Sequence, residues 1–161
     1  DLKNSLKILS SESFTSVSAP IQYAAIKAYK EDHSEYLKGV RKILSFIGNY
    51  AYENLKSNAI SLAKPAGGFY LFPEFKNAKF SSSSEMCRDI LNKTGVALLP
   101  GSDFGFNKNR MLARLSYTDF DGAIFLKNTS GSENLNTGDL KKYAPNIVDG
   151  ISKLKEWSNS L

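Results

Sequence analysis

Cysteine and histidine are almost missing from this sequence of 161 residues, which holds one of each, Cys87 and His33. A single cysteine excludes an internal disulfide and any cysteine-based zinc site. Cys87 falls within a predicted helix and reads as a core thiol, not a nucleophile. His33 lies in the polar stretch Glu31-Asp-His-Ser34 and reads as a solvated linker residue. Acid–base catalysis would need a partner that cannot be nominated for it. No apolar run approaches the roughly 18 residues of a membrane span, and no charged-then-apolar leader opens the chain. A soluble protein in a reduced, cytoplasmic setting is expected, so the sequons Asn92-Lys-Thr94 and Asn128-Thr-Ser130 carry no weight. The net charge of +5 is scattered along the chain. That pattern fits solvated helix faces and not a nucleic-acid footprint.

What is present suffices for a core, since 42% of residues are apolar and 12% aromatic, ordinary values for a globular domain. Residues 1–16 are polar and serine-rich, with Leu2, Leu6, Ile8 and Leu9 as a weak apolar cluster, and read as the tail of something. Pro20 opens a predicted helix to about Lys30, with Ser18 placed to cap it. A longer helix follows to about Lys56, marked by Tyr36, Val40, Ile43, Ile47, Tyr50 and Leu55 at near 3.6 spacing. From Ala59 the period shortens. Ile60-Ser-Leu62 reads as a strand, Lys64-Pro-Ala-Gly-Gly68 as a turn and Gly68-Phe-Tyr-Leu-Phe72 as a β-rich run. Ser82 and Glu85 form a capping box before a helix that ends on Gly95, and Val96-Ala-Leu-Leu99 reads as a short buried strand. Asp119 and Asp121 resemble an acid–base pair but suit the capping of a helix from Gly122. Residues 128–138 read as a mobile loop, and residues 145–157 as a closing amphipathic helix.

The stretch from Gly95 to Tyr117 carries the most information. Two strands are joined by a Pro-Gly loop, and the second, Met111-Leu-Ala-Arg-Leu-Ser-Tyr117, holds a lone arginine. Strand alternation places Leu112, Arg114 and Ser116 on one face. Such an arginine either serves a structural ion pair or a sheet edge, or it waits for an anion, and a carboxylate fits its planar fork best.

Four segments in order resemble the class I, fold-type-I aminotransferases, which use pyridoxal 5′-phosphate (PLP). They are Phe14-Thr-Ser-Val-Ser-Ala-Pro-Ile-Gln22, Pro65-Ala-Gly-Gly-Phe-Tyr-Leu-Phe-Pro73, Thr94-Gly-Val-Ala-Leu-Leu-Pro-Gly-Ser-Asp-Phe-Gly105 and Arg114-Leu-Ser-Tyr117. The resemblance covers essentially the whole chain and matches the C-terminal part of such enzymes. It implies an α/β (α+β two-layer) small domain, in which long N-terminal helices precede a three- to four-stranded mixed sheet covered by helices. Residues 1–30 would be a remnant of the large domain and the start of the linking helix, and residues 31–161 the small domain.

The same resemblance implies roles for particular residues. Arg114 would bind the α-carboxylate of an amino acid or 2-keto acid, and Phe69 would line the substrate cleft. Thr15 and Ser16 would belong to a segment that reaches a neighbouring subunit in a homodimer. The family's Schiff-base lysine, in a Ser-Lys stretch followed by Gly-x-Arg-x-Gly, has no counterpart here. The ring-stacking aromatic and the aspartate of the pyridine nitrogen likewise belong to the large domain. No catalytic, cofactor-binding or metal-ligating residue is therefore expected, no bound cofactor is expected on this chain alone, and it should be inactive by itself. Neither nucleic acid nor membrane is an expected partner; the missing large domain or a second copy is. Two alternatives accompany this reading: an interaction or regulatory module of the same fold, or one half of a split aminotransferase. Apolar side chains in residues 1–30, among them Leu6, Leu9, Phe14 and Ile26, would then be uncovered and would drive self-association.

Overall fold

The computed structural model describes residues 1–14 and 16–161, which divide into two compact units, Asp1–Tyr36 and Leu37–Leu161. The first unit contains helices α1 (Leu2–Phe14) and α2 (Ala19–Lys30), neither of which buries a residue. The serine-rich start is thus helical where only a tail was expected. Its apolar residues recur at i, i+4 and i+7 (Leu2, Leu6, Leu9), enough to make a stripe without a core to cover it. Ser18 holds the N-cap position of α2, but its side chain makes no capping bond. Pro20 brings no N–H to the first turn, which leaves fewer donors to satisfy there.

Helix α3 (Ser34–Leu55) leads into the second unit, where its expected stripe is realised in part: Ile43, Ile47 and Leu55 are buried together with Ala51, Val40 and Tyr50 are half-buried, and Tyr36 is exposed. Strands β1 (Ile60–Ser61), β2 (Tyr70–Leu71) and β3 (Glu74–Phe75) precede α4 (Ser83–Thr94). Strand β4 (Leu99–Pro100) runs into a 3-10 turn (Gly101–Phe104), then β5 (Ala113–Ser116). Helices α5 (Gly122–Thr129), α6 (Thr137–Tyr143) and α7 (Pro145–Asn159) follow.

The strands form two small sheets, β1–β3 and β2–β5–β4. They are bridged where Glu74 meets Leu112, and by the bonds from Phe75 N to Met111 O at 2.9 Å and Ala113 N to Pro73 O at 3.1 Å. In effect residues 69–75 are one strand with a break at Phe72-Pro73, where proline cannot donate to the ladder. The class expected from sequence, helices over a small sheet, is what is observed. The strand directions differ from expectation: every pairing is antiparallel, not mixed. Helix α4 intervenes between β2 and β5 in the chain, but β4 and its turn follow that helix and lead into β5 as the antiparallel neighbour of both β4 and β2.

Alternation decides which face is wet. Leu71, Pro73 and Phe75 point into the core, while Tyr70, Phe72 and Glu74 are partly or well exposed. Beneath the sheet, Phe75 meets Trp157 of α7 edge-on, with ring centroids 5.3 Å apart, and Phe80 stacks on Trp157 at 6.2 Å. Gly48 lets α3 approach closely: a Cβ there would sit 2.9 Å from the Tyr117 hydroxyl oxygen and 3.3 Å from Pro65. That hydroxyl donates to the Gly68 carbonyl at 3.0 Å and so ties the turn before β2 to the end of β5.

Local expectations were met to different degrees. Gly95 caps α4 in the left-handed region (φ 74°), and Ser82 accepts from the Glu85 N–H. The Glu85 carboxylate, however, takes the Ser81 N–H at 2.9 Å instead of closing the box on Ser82. Strand β4 begins at Leu99, later than expected, and of the run Val96–Leu99 only Leu98 is fully buried. The run lies at a sheet margin with one face covered, so its apolar character overstates its burial. Asp121, and not Asp119, caps α5 by accepting from Ile124 N at 2.8 Å. The segment 128–138 is partly helical, because Asn136 and Asp139 form a reciprocal capping box that starts α6. No helix among the described residues is long and apolar enough to cross a membrane.

Candidate functional site

The exposed face of the sheet gathers an arginine and a set of aromatic rings. Arg114 is the second residue of β5, half-buried, and paired across the ladder with Leu99 of β4. Its neighbours in sequence, Ala113 and Leu115, are buried, so alternation forces the guanidinium outward. The guanidinium carbon lies over the Tyr70 ring at 4.3 Å and over the Phe104 ring at 4.6 Å. Among the described residues no carboxylate comes within 4 Å of it. Of the alternatives anticipated for this side chain, a structural ion pair, a sheet-edge arginine or a cation open to an anion, the first two are not what is observed: no acid pairs with it among the described residues, and β5 is the central strand between β2 and β4.

Around it the rings continue. Phe72 meets Phe104 edge-on at 5.5 Å and Phe106 at 6.1 Å, and Phe69 lies against Tyr70 at 4.4 Å. Phe69 is 40% exposed, at the turn before β2, where its carbonyl accepts from Tyr117 N. It is therefore one ring removed from Arg114: Tyr70, not Phe69, touches the guanidinium. Ser116, two residues on from Arg114, is exposed and within 3.0 Å of the Thr118 hydroxyl. Ser16 is exposed in the first unit, and Thr15 lies outside the described residues.

Sequence reasoning missed Tyr70 and Phe104. The signal for Tyr70 was available, since an antiparallel partner to the arginine strand brings alternate residues of Gly68–Phe72 onto its face. Phe104 had no periodic signal because it sits in a 3-10 turn. That turn is held close to β5, with Gly101 N donating to Leu112 O at 2.7 Å. A Cβ on Gly101 would strike that oxygen at 2.8 Å, so the approach requires glycine.

The remaining titratable groups with displaced equilibria lie away from this face or are held in ion pairs and hydrogen bonds. Burial pushes the Cys87 thiol up to about 11, well away from a thiolate nucleophile. Asp89 is held below the usual carboxylate range, first by the Trp157 indole and then by Lys93. Glu74 is likewise lowered, by its bond to Arg110. No cluster of three or more metal-ligating side chains occurs among the described residues. PLP chemistry requires a lysine that is sheltered and poised as a nucleophile. Every lysine here is exposed except Lys42, whose ammonium is committed to the carbonyls of Thr129 and Ser132 at 3.0 and 2.6 Å.

Residues 1–121 match the family model "Aminotransferase class I and II". The chain is 35% identical over 122 residues to an aspartate aminotransferase of Bacillus subtilis, covering 73% of this chain and 30% of that protein. It is 32% identical over 98 residues to aromatic-amino-acid aminotransferase 2 of Thermococcus litoralis, covering 60% of this chain and 25% of that one. The fold is similar to aromatic aminotransferase from Pyrococcus horikoshii, with a TM-score of 0.66, 21% identity, and 94% and 34% coverage. It is also similar to alanine aminotransferase from Pyrococcus furiosus, with a TM-score of 0.63, 22% identity, and 89% and 30% coverage. The chain thus spans about a third or less of the relatives it matches. On the match over residues 1–121, it belongs to the class I and II aminotransferases.

Proposed function

We propose that this chain is the substrate-clamping small domain of a PLP-dependent aminotransferase, in which Arg114 binds the α-carboxylate of an amino acid or 2-keto acid. The observation that carries the reading is the unpaired guanidinium on the open face of the sheet. Two parallel hydrogen bonds from it would fix the substrate's orientation and reject amines that lack the carboxylate. Phe69, at the rim of the same face, would line the cleft, and closure of the domain would exclude water.

PLP, when bound in the complete enzyme, supplies the electron sink for transamination. Its lysine attachment would come from the large domain. Residues 1–30 would belong to that domain and to the linking helix, with Thr15 and Ser16 near a subunit boundary in a cytoplasmic homodimer. The uncovered apolar side chains of the first unit, including Leu6, Phe14, Ile21 and Tyr29, support a covering partner of this kind.

A bidentate charge-assisted pair contributes about 3–5 kcal/mol, which corresponds to a dissociation constant near the millimolar range before ordering costs. Titration of the 161-residue chain with pyruvate, followed by NMR, should show such weak binding, and Arg114→Gln should abolish it. Added PLP should form no borohydride-stable adduct at a defined lysine. Undiminished pyruvate binding in Arg114→Gln would refute the carboxylate role. A single-site adduct with turnover would refute the division of labour between the domains.

A further inference from the structure

The sheet face carries two arginines, and the fold treats them in opposite ways. Arg110 is neutralised: its Nε and Nη2 donate to the two carboxylate oxygens of Glu74 at 2.9 and 2.8 Å. Its guanidinium carbon also lies 5.6 Å from the Phe106 ring centre. Arg114 receives rings and no acid. The distinction matters chemically. A carboxylate neighbour would fill the planar fork and cancel its charge, whereas a ring face attracts the cation through its quadrupole and leaves the strong N–H donors available.

The two rings reach Arg114 from independent elements. Tyr70 comes from β2, where it pairs with Ser116, the next residue on Arg114's own face. Phe104 comes from the 3-10 turn after β4, and that turn is fixed at several points. Gly101 N bonds Leu112 O, Ser102 N reaches the Ser83 hydroxyl at 3.4 Å, and the Phe104 ring rests edge-on against Phe72. Both rings are therefore set by backbone already ordered for other reasons.

We propose that Tyr70 and Phe104 are positioning residues that clamp the Arg114 guanidinium by cation–π contact, keeping it oriented and unpaired for an incoming carboxylate. The inference rests on the carboxylate reading of Arg114 and adds two residues that act through it. The Tyr70 hydroxyl makes no hydrogen bond among the described residues, so its ring alone does the work. Phenylalanine should replace it without loss.

Arginine-selective NMR of the 161-residue chain tests the clamp directly, with Arg114 assigned by its disappearance in Arg114→Lys. The Arg114 side-chain resonances should be displaced upfield by the two rings, should keep that shift in Tyr70→Phe and should lose much of it in Tyr70→Leu. Pyruvate affinity should be unchanged in Tyr70→Phe and Phe104→Tyr. It should fall about two- to fivefold in each of Tyr70→Leu and Phe104→Leu. Circular dichroism on the same samples identifies any variant that fails to fold, and the conservative pair then carries the comparison. Unshifted Arg114 resonances in the parent chain would overturn the clamp, as would full pyruvate affinity in both folded leucine variants. Ring-shifted resonances with no response to pyruvate would instead sink the carboxylate reading and leave the clamp standing.

Discussion

Trp157 is where the helix layer supports the sheet, and its removal gives a measurable test of that support. The indole is 4% exposed, meets Phe75 edge-on, stacks on Phe80 and donates to Asp89 Oδ2 at 2.8 Å. Trp157→Ala removes a large buried ring, which costs about 3–5 kcal/mol for transfer and cavity together. The lost hydrogen bond adds about 1 kcal/mol. It adds no more because Asp89 is partly exposed and keeps Lys93 at 3.0 Å. The loss of about 4–6 kcal/mol compares with a total stability of about 5–15 for an ordinary domain. At about 2 kcal/mol per molar urea, the midpoint should fall by about 2–3 M. Trp157→Phe keeps most of the ring contact and should lose only about 1–2 kcal/mol. Urea titration followed by far-ultraviolet circular dichroism measures both variants without relying on the deleted fluorophore. A Trp157→Ala variant within 1 kcal/mol of the parent would refute the claim that this ring anchors the sheet to α7.

Two further outcomes follow from the ionisable groups. Asp89 and Glu74 both titrate lower in the folded chain than in the unfolded one, through Trp157 and Lys93 for the first and Arg110 for the second. Their contribution is complete above the ordinary carboxylate range near about 4 and disappears as pH falls through the lower folded values. Urea midpoints should therefore drop below pH 4 more steeply in the parent than in an Asp89→Ala, Glu74→Ala double variant; equal slopes would contradict the assignment. Cys87, buried and raised to about 11, should react with a thiol reagent at pH 8 only as fast as the domain opens. Labelling at the rate of a free thiol in native buffer would contradict its burial.

How much of this could be read from the sequence depended on periodicity. The buried part of the α3 stripe, the Gly95 cap and the shared face of Arg114 and Ser116 follow from spacing alone, because each is fixed by local geometry. Features made by contacts between distant residues did not show. The Asn136–Asp139 box was concealed by a polar stretch that reads equally well as a loop. Strand β3 lies beyond the break at Phe72-Pro73 and was not expected, because the β-rich run reads only as far as Phe72. Antiparallel pairing throughout depends on how β1 meets β3 and how β2 and β4 meet β5, which no single segment encodes. At the site, the arginine was visible and its aromatic neighbours were not, since Tyr70 and Phe104 meet it only after strand pairing and the 3-10 turn have placed them.

Every outer strand of the two sheets, β1 and β3 in one and β2 and β4 in the other, is only two residues long, and β4 ends on Pro100. A foreign strand seeking to extend the sheet there would find almost no ladder to grip, and at Pro100 no amide hydrogen at all. The margin beside Arg114 is in this way closed to backbone-directed growth while its side chains remain reachable. A small domain can thus present a wide aromatic and cationic face to solvent without inviting fibrillar stacking along its rim.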